Sequence, residues 1–245
     1  MDTSNKIIVI TGASKGLGRE TALRLCRRNP NLVLIARTKS LLEQTQKEIE
    51  NLTGRTPLII SCDVSSEADV YRAARIIQNN FQHVDVLINN AGIGIHKISE
   101  KMSTEEMRKQ FEVNFYGTFY CIKALLPLLK LSASPYILNI GSLVGEISFA
   151  DNSIYAATKS ALANFSAGLR CEMKEYNIKV GLFLPGLMNT SFQADRENEI
   201  KAPGFLILDP RKAAMKLESM IYRRSKNVYM YRWMLFLMKI KRLIG

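Results

Sequence analysis

The sequence predicts a doubly wound α/β fold, a parallel sheet with helices on both faces, and three observations carry that prediction. Short apolar runs rich in β-branched residues recur along the chain. Stretches with helical periodicity separate them. A glycine-rich turn follows the first run. Strands buried on both faces read as unbroken apolar runs, and a helix between successive strands is what a parallel sheet requires. Right-handed crossovers then place helices on both sides. The chain has 245 residues, 47% of them hydrophobic, so residues 1–245 are expected to form a single domain.

Residues 6–11 (KIIVIT) read as the first strand and 17–28 as the helix after it. Residues 31–36 (NLVLIA) form the second strand, followed by a polar helix over 40–52. Residues 57–62 (PLIISC) are the third strand, with a helix over 66–81. Residues 84–89 (VDVLIN) are the fourth. A long helical stretch, 103–131, carries Pro127, which is expected to kink it or end its regular part. Residues 136–140 (YILNI) are the fifth strand, 153–175 the next helix and 178–184 (IKVGLFL) the sixth strand. This is the pattern of a single-domain Rossmann sheet. The segment 188–208, which includes Pro203-Gly204, is the least regular and reads as a substrate loop.

Lys and Arg number 34 against 22 acidic residues, a formal charge of +12. Such a balance fits nucleic acid, anionic lipid or an acidic ligand. Much of it is local. After Glu218 there is no acidic residue, while Arg223, Arg224, Lys226, Arg232, Lys239, Lys241 and Arg242 are all basic. The four cysteines, Cys26, Cys62, Cys121 and Cys171, show no paired spacing and read as reduced core thiols of a cytoplasmic protein. The polar start leads straight into a strand without a secretory signal, and no apolar stretch approaches the ~20 residues of a membrane span. His83 and His96 read as surface or loop residues, and no metal site is expected.

The first strand ends in Thr11-Gly12-Ala13-Ser14-Lys15-Gly16-Leu17-Gly18. Glycines allow a tight turn and close backbone approach, and a helix N-terminus favours phosphate. The spacing is G-x-x-x-G-x-G, which differs from the usual G-x-G-x-x-G fingerprint. NAD sites place a carboxylate at the end of the second strand, on the ribose hydroxyls. Here that stretch is Leu34-Ile35-Ala36-Arg37. A guanidinium binds a 2′-phosphate through paired hydrogen bonds, and Lys15 adds a second positive charge. The missing acid and the two bases both point to NADP(H).

Tyr155 and Lys159 are four apart in a helical segment and share one face. A phenol has a pKa of ~10, and a nearby ammonium would lower it. Taken alone, Y-x-x-x-K is a weak signal. Around it stand Ser142 after the fifth strand, Asn114 in the long helix, Asn89-Asn90-Ala91-Gly92 closing strand four, and Pro185-Gly186 with Thr190 after strand six. All fall at or near the carboxyl edge of the sheet, where such folds bind ligands.

With these motifs in this order, residues 6 to about 190 resemble the short-chain dehydrogenase/reductase family in its compact form. The resemblance implies a homodimer or homotetramer that moves a hydride between NADP(H) and a carbonyl or alcohol. It implies Tyr155 as general acid or base, Lys159 as the group that lowers its pKa and holds the nicotinamide ribose, Ser142 on the substrate oxygen, and Asn114 on a water relay. Gly12, Ser14, Lys15, Gly16, Leu17 and Gly18 would line the phosphates and ribose. Asp63 would contact adenine with Val64 beside it, and Asn90, in the Asn90-Ala91-Gly92 turn, would support the ribose region. Gly186, after Pro185, and Thr190 would hold the carboxamide. Leu143, Val144, Met188 and Phe192 are expected at a mostly apolar pocket mouth, which suits a lipid-like substrate.

Compact members often end in V-D-G-G, and this chain does not. Residues 228–232 fit a last strand, and 233–245 read as a basic, apolar tail. A peripheral membrane contact, a subunit or pocket contact and a nucleic-acid tail all compete for it; no nucleic-acid partner is expected, because outside the tail no basic stripe is interleaved with aromatics. An NADP(H)-binding regulator without turnover is the alternative to an enzyme, and it would be expected to show a broken tetrad.

Overall fold

The structure, a computed structural model, describes residues 5–188 and 207–230. Seven strands form one sheet: β1 (Ile7–Thr11), β2 (Asn31–Ala36), β3 (Leu58–Ser61), β4 (Val86–Asn89), β5 (Tyr136–Ile140), β6 (Lys179–Leu184) and β7 (Asn227–Tyr229). Their order is β3-β2-β1-β4-β5-β6-β7, and every neighbouring pair is parallel. The chain winds outward from β1 to β3, then crosses to β4 and winds outward to β7. The carboxyl ends of β1 and β4 therefore flank the point where the winding reverses, and a crevice opens there.

The helices are α1 (Gly16–Leu25), α2 (Lys39–Thr53), α3 (Glu67–Asn80), α4 (Thr104–Phe111), α5 (Gly117–Lys130), α6 (Ser153–Glu172) and α7 (Pro210–Arg223). Every residue of β1 is buried, as an apolar run inside a covered sheet must be. One face of the sheet carries Val9, Val33, Leu87 and Ile137 under α3, α5 and α6. The other carries Ile8, Ile10, Leu34 and Ile88 under α1, α2 and α7. Helix starts follow local chemistry. The Ser66 hydroxyl accepts from Asp69 N to cap α3, and Ser103 with Glu106 forms a capping box on α4.

Three features differ from the sequence reading. The stretch 103–131 is not one helix kinked at Pro127. It is α4, a π-helical turn over Glu112–Tyr116, and α5, with Pro127 inside α5. The irregularity sits at Asn114, whose side chain binds a neighbouring loop. The segment after residue 208 also holds α7, which the apolar pattern did not announce. Its start signal was present: Asp209 accepts from Arg211 N at 2.8 Å, and Pro210 occupies the first turn. Cys171 is exposed, whereas the other three thiols are buried.

The base of the 188–208 loop is closed by a bridge between Met188 and Leu208, with Leu208 N donating to Leu187 O at 2.7 Å. Thr190, Phe192 and the tail 233–245 lie outside the described residues. Among the described residues, no helix is long and apolar enough to cross a membrane.

Candidate active site

The turn after β1 is locked to the loop after β4. The Thr11 hydroxyl accepts from the backbone N of Asn90 and of Ala91, each at 3.0 Å. Asn90 Nδ2 donates to Thr11 O at 2.9 Å and to Gly12 O at 3.2 Å. Gly12 has φ +66°, a left-handed conformation that favours glycine. Gly18, in the first turn of α1, passes so close that a Cβ there would lie 2.2 Å from Gly12 O. No side chain caps α1, and its first turn holds no carboxylate. Among the described residues, its leading N–H groups and positive dipole end thus have no capping side chain and no carboxylate in the first turn. Lys15 and Arg37 are exposed at the ends of this turn and of β2, and Arg37 makes no ion pair with a described residue.

Helix α6 carries Tyr155 and Lys159 on one buried face. The Tyr155 hydroxyl hydrogen-bonds Ser142, whose Oγ also accepts from Val144 N at 3.2 Å. Lys159 Nζ donates to Ile140 O at 2.9 Å and lies 5.9 Å from the Tyr155 ring centroid. Asn114 is fully buried. Its Oδ1 accepts from Ile93 N at 2.8 Å, and its Nδ2 donates to Ile93 O at 2.9 Å and to Thr158 Oγ1 at 3.1 Å. Thr158 Oγ1 in turn donates to Tyr155 O at 2.7 Å. The π-helical turn therefore ties the loop after β4 to the first turns of α6. A Cβ on Gly92 would fall 3.2 Å from Asn114 Oδ1 and 3.6 Å from Lys159 Nζ, so a side chain there would crowd both.

Burial sets the titration of the pair. It pushes the Tyr155 phenol up to about 12, against the pull of its hydrogen bond to Ser142. It brings Lys159 down to about 8. A low-dielectric site disfavours either charged form. The expected lowering of the phenol by Lys159 is thus outweighed here, because the ammonium is turned to the Ile140 carbonyl.

Comparison with known proteins identifies the family. The family model for short chain dehydrogenases matches residues 6–201. The chain belongs to the short-chain dehydrogenase family. Mouse dehydrogenase/reductase SDR family member 7B is 36% identical over 203 residues, 82% of this chain and 62% of that protein. The chain thus spans less than two-thirds of that relative. A fission yeast NADP-dependent 3-hydroxy acid dehydrogenase is 34% identical over 194 residues, 78% of this chain and 74% of its own. A short chain dehydrogenase structure from Escherichia coli CFT073, complexed with NADPH, superposes with a TM-score of 0.84 at 28% identity, covering 93% of this chain and 98% of that one. The seven-stranded parallel sheet and its flanking helices are those of this oxidoreductase family, whose fold binds a nicotinamide dinucleotide.

In this family member Ser142 bonds the Tyr155 hydroxyl, Asn114 reaches the Tyr155 carbonyl through Thr158, and Lys159 lies beside the Tyr155 ring with its Nζ on Ile140 O. Gly12, Ser14, Gly16, Gly18, Asn90, Ala91 and Gly92 gather at the crevice, and Pro185 joins the site by accepting from Leu143 N at 3.1 Å. Gly186 and Met188 follow it half-buried, as does Val144. Leu17 and Val64 are buried in the two cores, and Val64 packs on Gly117. Asp63 makes a local turn, accepting from Ser65 N and Oγ, just past the end of β3. Leu143 is not at a pocket mouth: it packs inward with Ile147, Leu182 and Leu184.

His96 lies in the loop after β4, one of the two expected places, but it is not at the surface. It is only 6% exposed, and its ring lies 5.7 Å from that of Tyr155. Its Nδ1 meets Asn152 Oδ1 at 2.8 Å. Asn152 precedes the first residue of α6, yet its side chain does not cap the helix. It binds His96 and Asp151 instead. The only sequence signal was position, four residues after Gly92.

Proposed function

We propose that this chain is an NADP(H)-dependent oxidoreductase that interconverts a carbonyl and an alcohol on an apolar, lipid-like substrate, with Tyr155 as the proton donor in reduction. The observation that carries this reading is the buried hydroxyl pair, Tyr155 on Ser142, set beside Lys159. A carbonyl oxygen between those hydroxyls accepts a hydrogen bond from Ser142 and a proton from Tyr155. The Lys159 ammonium offsets the phenolate that remains. Asn114 fixes Ile93 and the start of α6, which holds the tyrosine in place.

The crevice fits a nicotinamide dinucleotide on its own chemistry. The uncapped start of α1 and the Gly12 turn fit a phosphate, and Gly92 carries no side chain to crowd Lys159 Nζ. Gly12 to Gly18 would hold the pyrophosphate, Asp63 and Val64 the adenine, and Lys159 the nicotinamide ribose. When bound, the nicotinamide supplies or takes the hydride. Lys15 and Arg37, with no carboxylate at the end of β2, favour a 2′-phosphate. The name of the fission yeast relative and the NADPH complex of the Escherichia coli structure support the same preference.

NADPH oxidation with a panel of ketones, aldehydes and acyl thioesters tests the reading. Wild type is expected to turn over at least one, and Tyr155→Phe to lose about 10²–10⁴-fold in rate. Turnover that survives the substitution would refute the mechanism.

Self-association is part of the same proposal. Tyr116 and Phe119 are exposed on the π-helical turn and α5, in ring contact with Phe115, Tyr120 and Phe165. An aromatic patch of this kind marks a protein contact. Sedimentation equilibrium is expected to show a dimer or tetramer for wild type and a smaller species for Phe119→Glu; an unchanged mass would rule this face out.

A further inference from the structure

We infer that the outer face of α7 is a docking surface for an anionic bilayer, placed beside the substrate mouth. Arg211, Lys212, Met215 and Lys216 share one side of α7 by their spacing, and all four are exposed. Met215 is 52% exposed, and Ile207, just before the helix, is also exposed. Two apolar side chains thus stand among three cations. The single carboxylate within α7, Glu218, does not neutralise this side. It is turned inward, where it accepts from Arg24 Nε at 2.6 Å and Arg28 Nε at 3.0 Å. Asp209, at the start of the helix, is occupied in capping it.

The position of the face follows from the topology. Leu208, one turn before these residues, bridges Met188 just past the carboxyl end of β6. Tyr229 of β7 pairs with Leu184 at the same edge of the sheet. The start of α7 and the exit of the chain from β7 therefore lie on the edge that bears the Tyr155 site. From there the sequence continues through Tyr231, Arg232, Trp233, Phe236, Lys239, Lys241 and Arg242 with no acidic residue. Cations beside apolar and aromatic side chains are what a bilayer interface accepts.

Other occupants fit less well. A second copy meeting this face across a two-fold axis would set like charges against each other. A polynucleotide would satisfy the cations and leave Ile207 and Met215 without a partner. A bilayer satisfies both, and it would present a lipid-like substrate at the mouth. This surface does not depend on the hydride chemistry, and binding is read without turnover.

The test is flotation of the full chain with vesicles of phosphatidylcholine alone and of phosphatidylcholine with phosphatidylserine, at low and high salt. Wild type is expected to bind the anionic vesicles selectively and to release at high salt. Each cation near such a surface is worth about a factor of five. The exposed triple variant R211Q/K212Q/K216Q, with residues 231–245 intact, should therefore lose about 100-fold in binding at an unchanged melting temperature. Equal binding to both vesicles, full binding by the triple variant, or displacement of wild type from vesicles by an equal mass of polynucleotide would each overturn the proposal. So would a triple variant that stays bound to lipid but changes from oligomer to monomer, which would assign the face to subunit contact.

Discussion

Replacing Gly18 with alanine tests whether the turn after β1 and the start of α1 are held as described. The new Cβ would lie 2.2 Å from Gly12 O and 2.4 Å from Asn90 Nδ2. Ordinary contact needs more than 3 Å, so something must retreat by about 1 Å. The first neighbour is backbone, and the second is pinned by its bonds to Thr11 and Gly12. Neither is the free end of a flexible chain. Overpacking of this kind costs about 1–3 kcal/mol, and losing an Asn90 bond adds about 1 kcal/mol. The sum, about 2–4 kcal/mol, lowers the melting temperature of a chain this size by roughly 4–16 °C. The phosphate cradle moves with the helix, and a displacement of about 1 Å weakens function by about 10²-fold. Thermal melting by circular dichroism and an NADPH fluorescence titration read both effects. Gly168, inside α6 with nothing within 4 Å of a Cβ, is the control. Gly168→Ala should gain about 0.5–1 kcal/mol and leave NADPH binding alone. If Gly18→Ala melts within about 2 °C of wild type and binds NADPH equally well, the close approach is not a constraint and the reasoning fails.

Two further outcomes follow from the electrostatics. Lys159, brought down to about 8 by burial, is protonated below that pH and neutral above it, so kcat/KM for reduction should be level below pH 8 and fall above it. In Lys159→Met the residual activity should lack that limb; a limb that persists belongs to another group. Arg37→Asp replaces the cation proposed to face a 2′-phosphate by the ribose-binding acid of NAD sites, and the ratio of kcat/KM for NADPH over NADH should drop by at least about tenfold. An unchanged ratio would remove Arg37 from cofactor choice.

Most of the sheet was legible because strands covered on both faces carry an unbroken apolar signal, as residues 31–36 and 136–140 do. That Asn114, Ser142, Tyr155 and Lys159 come near one another could be read because each follows or adjoins a strand of that framework. The π-helical turn was not legible. Its cause is a tertiary bond from Asn114 to the Ile93 backbone, and apolar periodicity carries no trace of such a bond. His96 was missed for the same reason. Its burial depends on Asn152 and Tyr155, 56 and 59 residues further along the sequence, and not on its neighbours. Leu143 shows the converse: an apolar side chain next to Ser142 suggested a pocket wall, but the small cluster around Leu184 offered it a drier place.

In the proposed reaction the burial that displaces the two pKa values also sets how each direction depends on pH. With Tyr155 near 12 and Lys159 near 8, the phenol stays protonated at neutral pH while the lysine still carries its charge. That is the resting state of an acid, not of a base. Donating the proton leaves a buried phenolate, and its cost is met only while Lys159 is an ammonium nearby. Starting from the alcohol, the enzyme would first have to form that phenolate against desolvation. In the proposed reaction, alcohol oxidation should therefore gain more from a rise in pH than carbonyl reduction does, and initial rates in the two directions would check this.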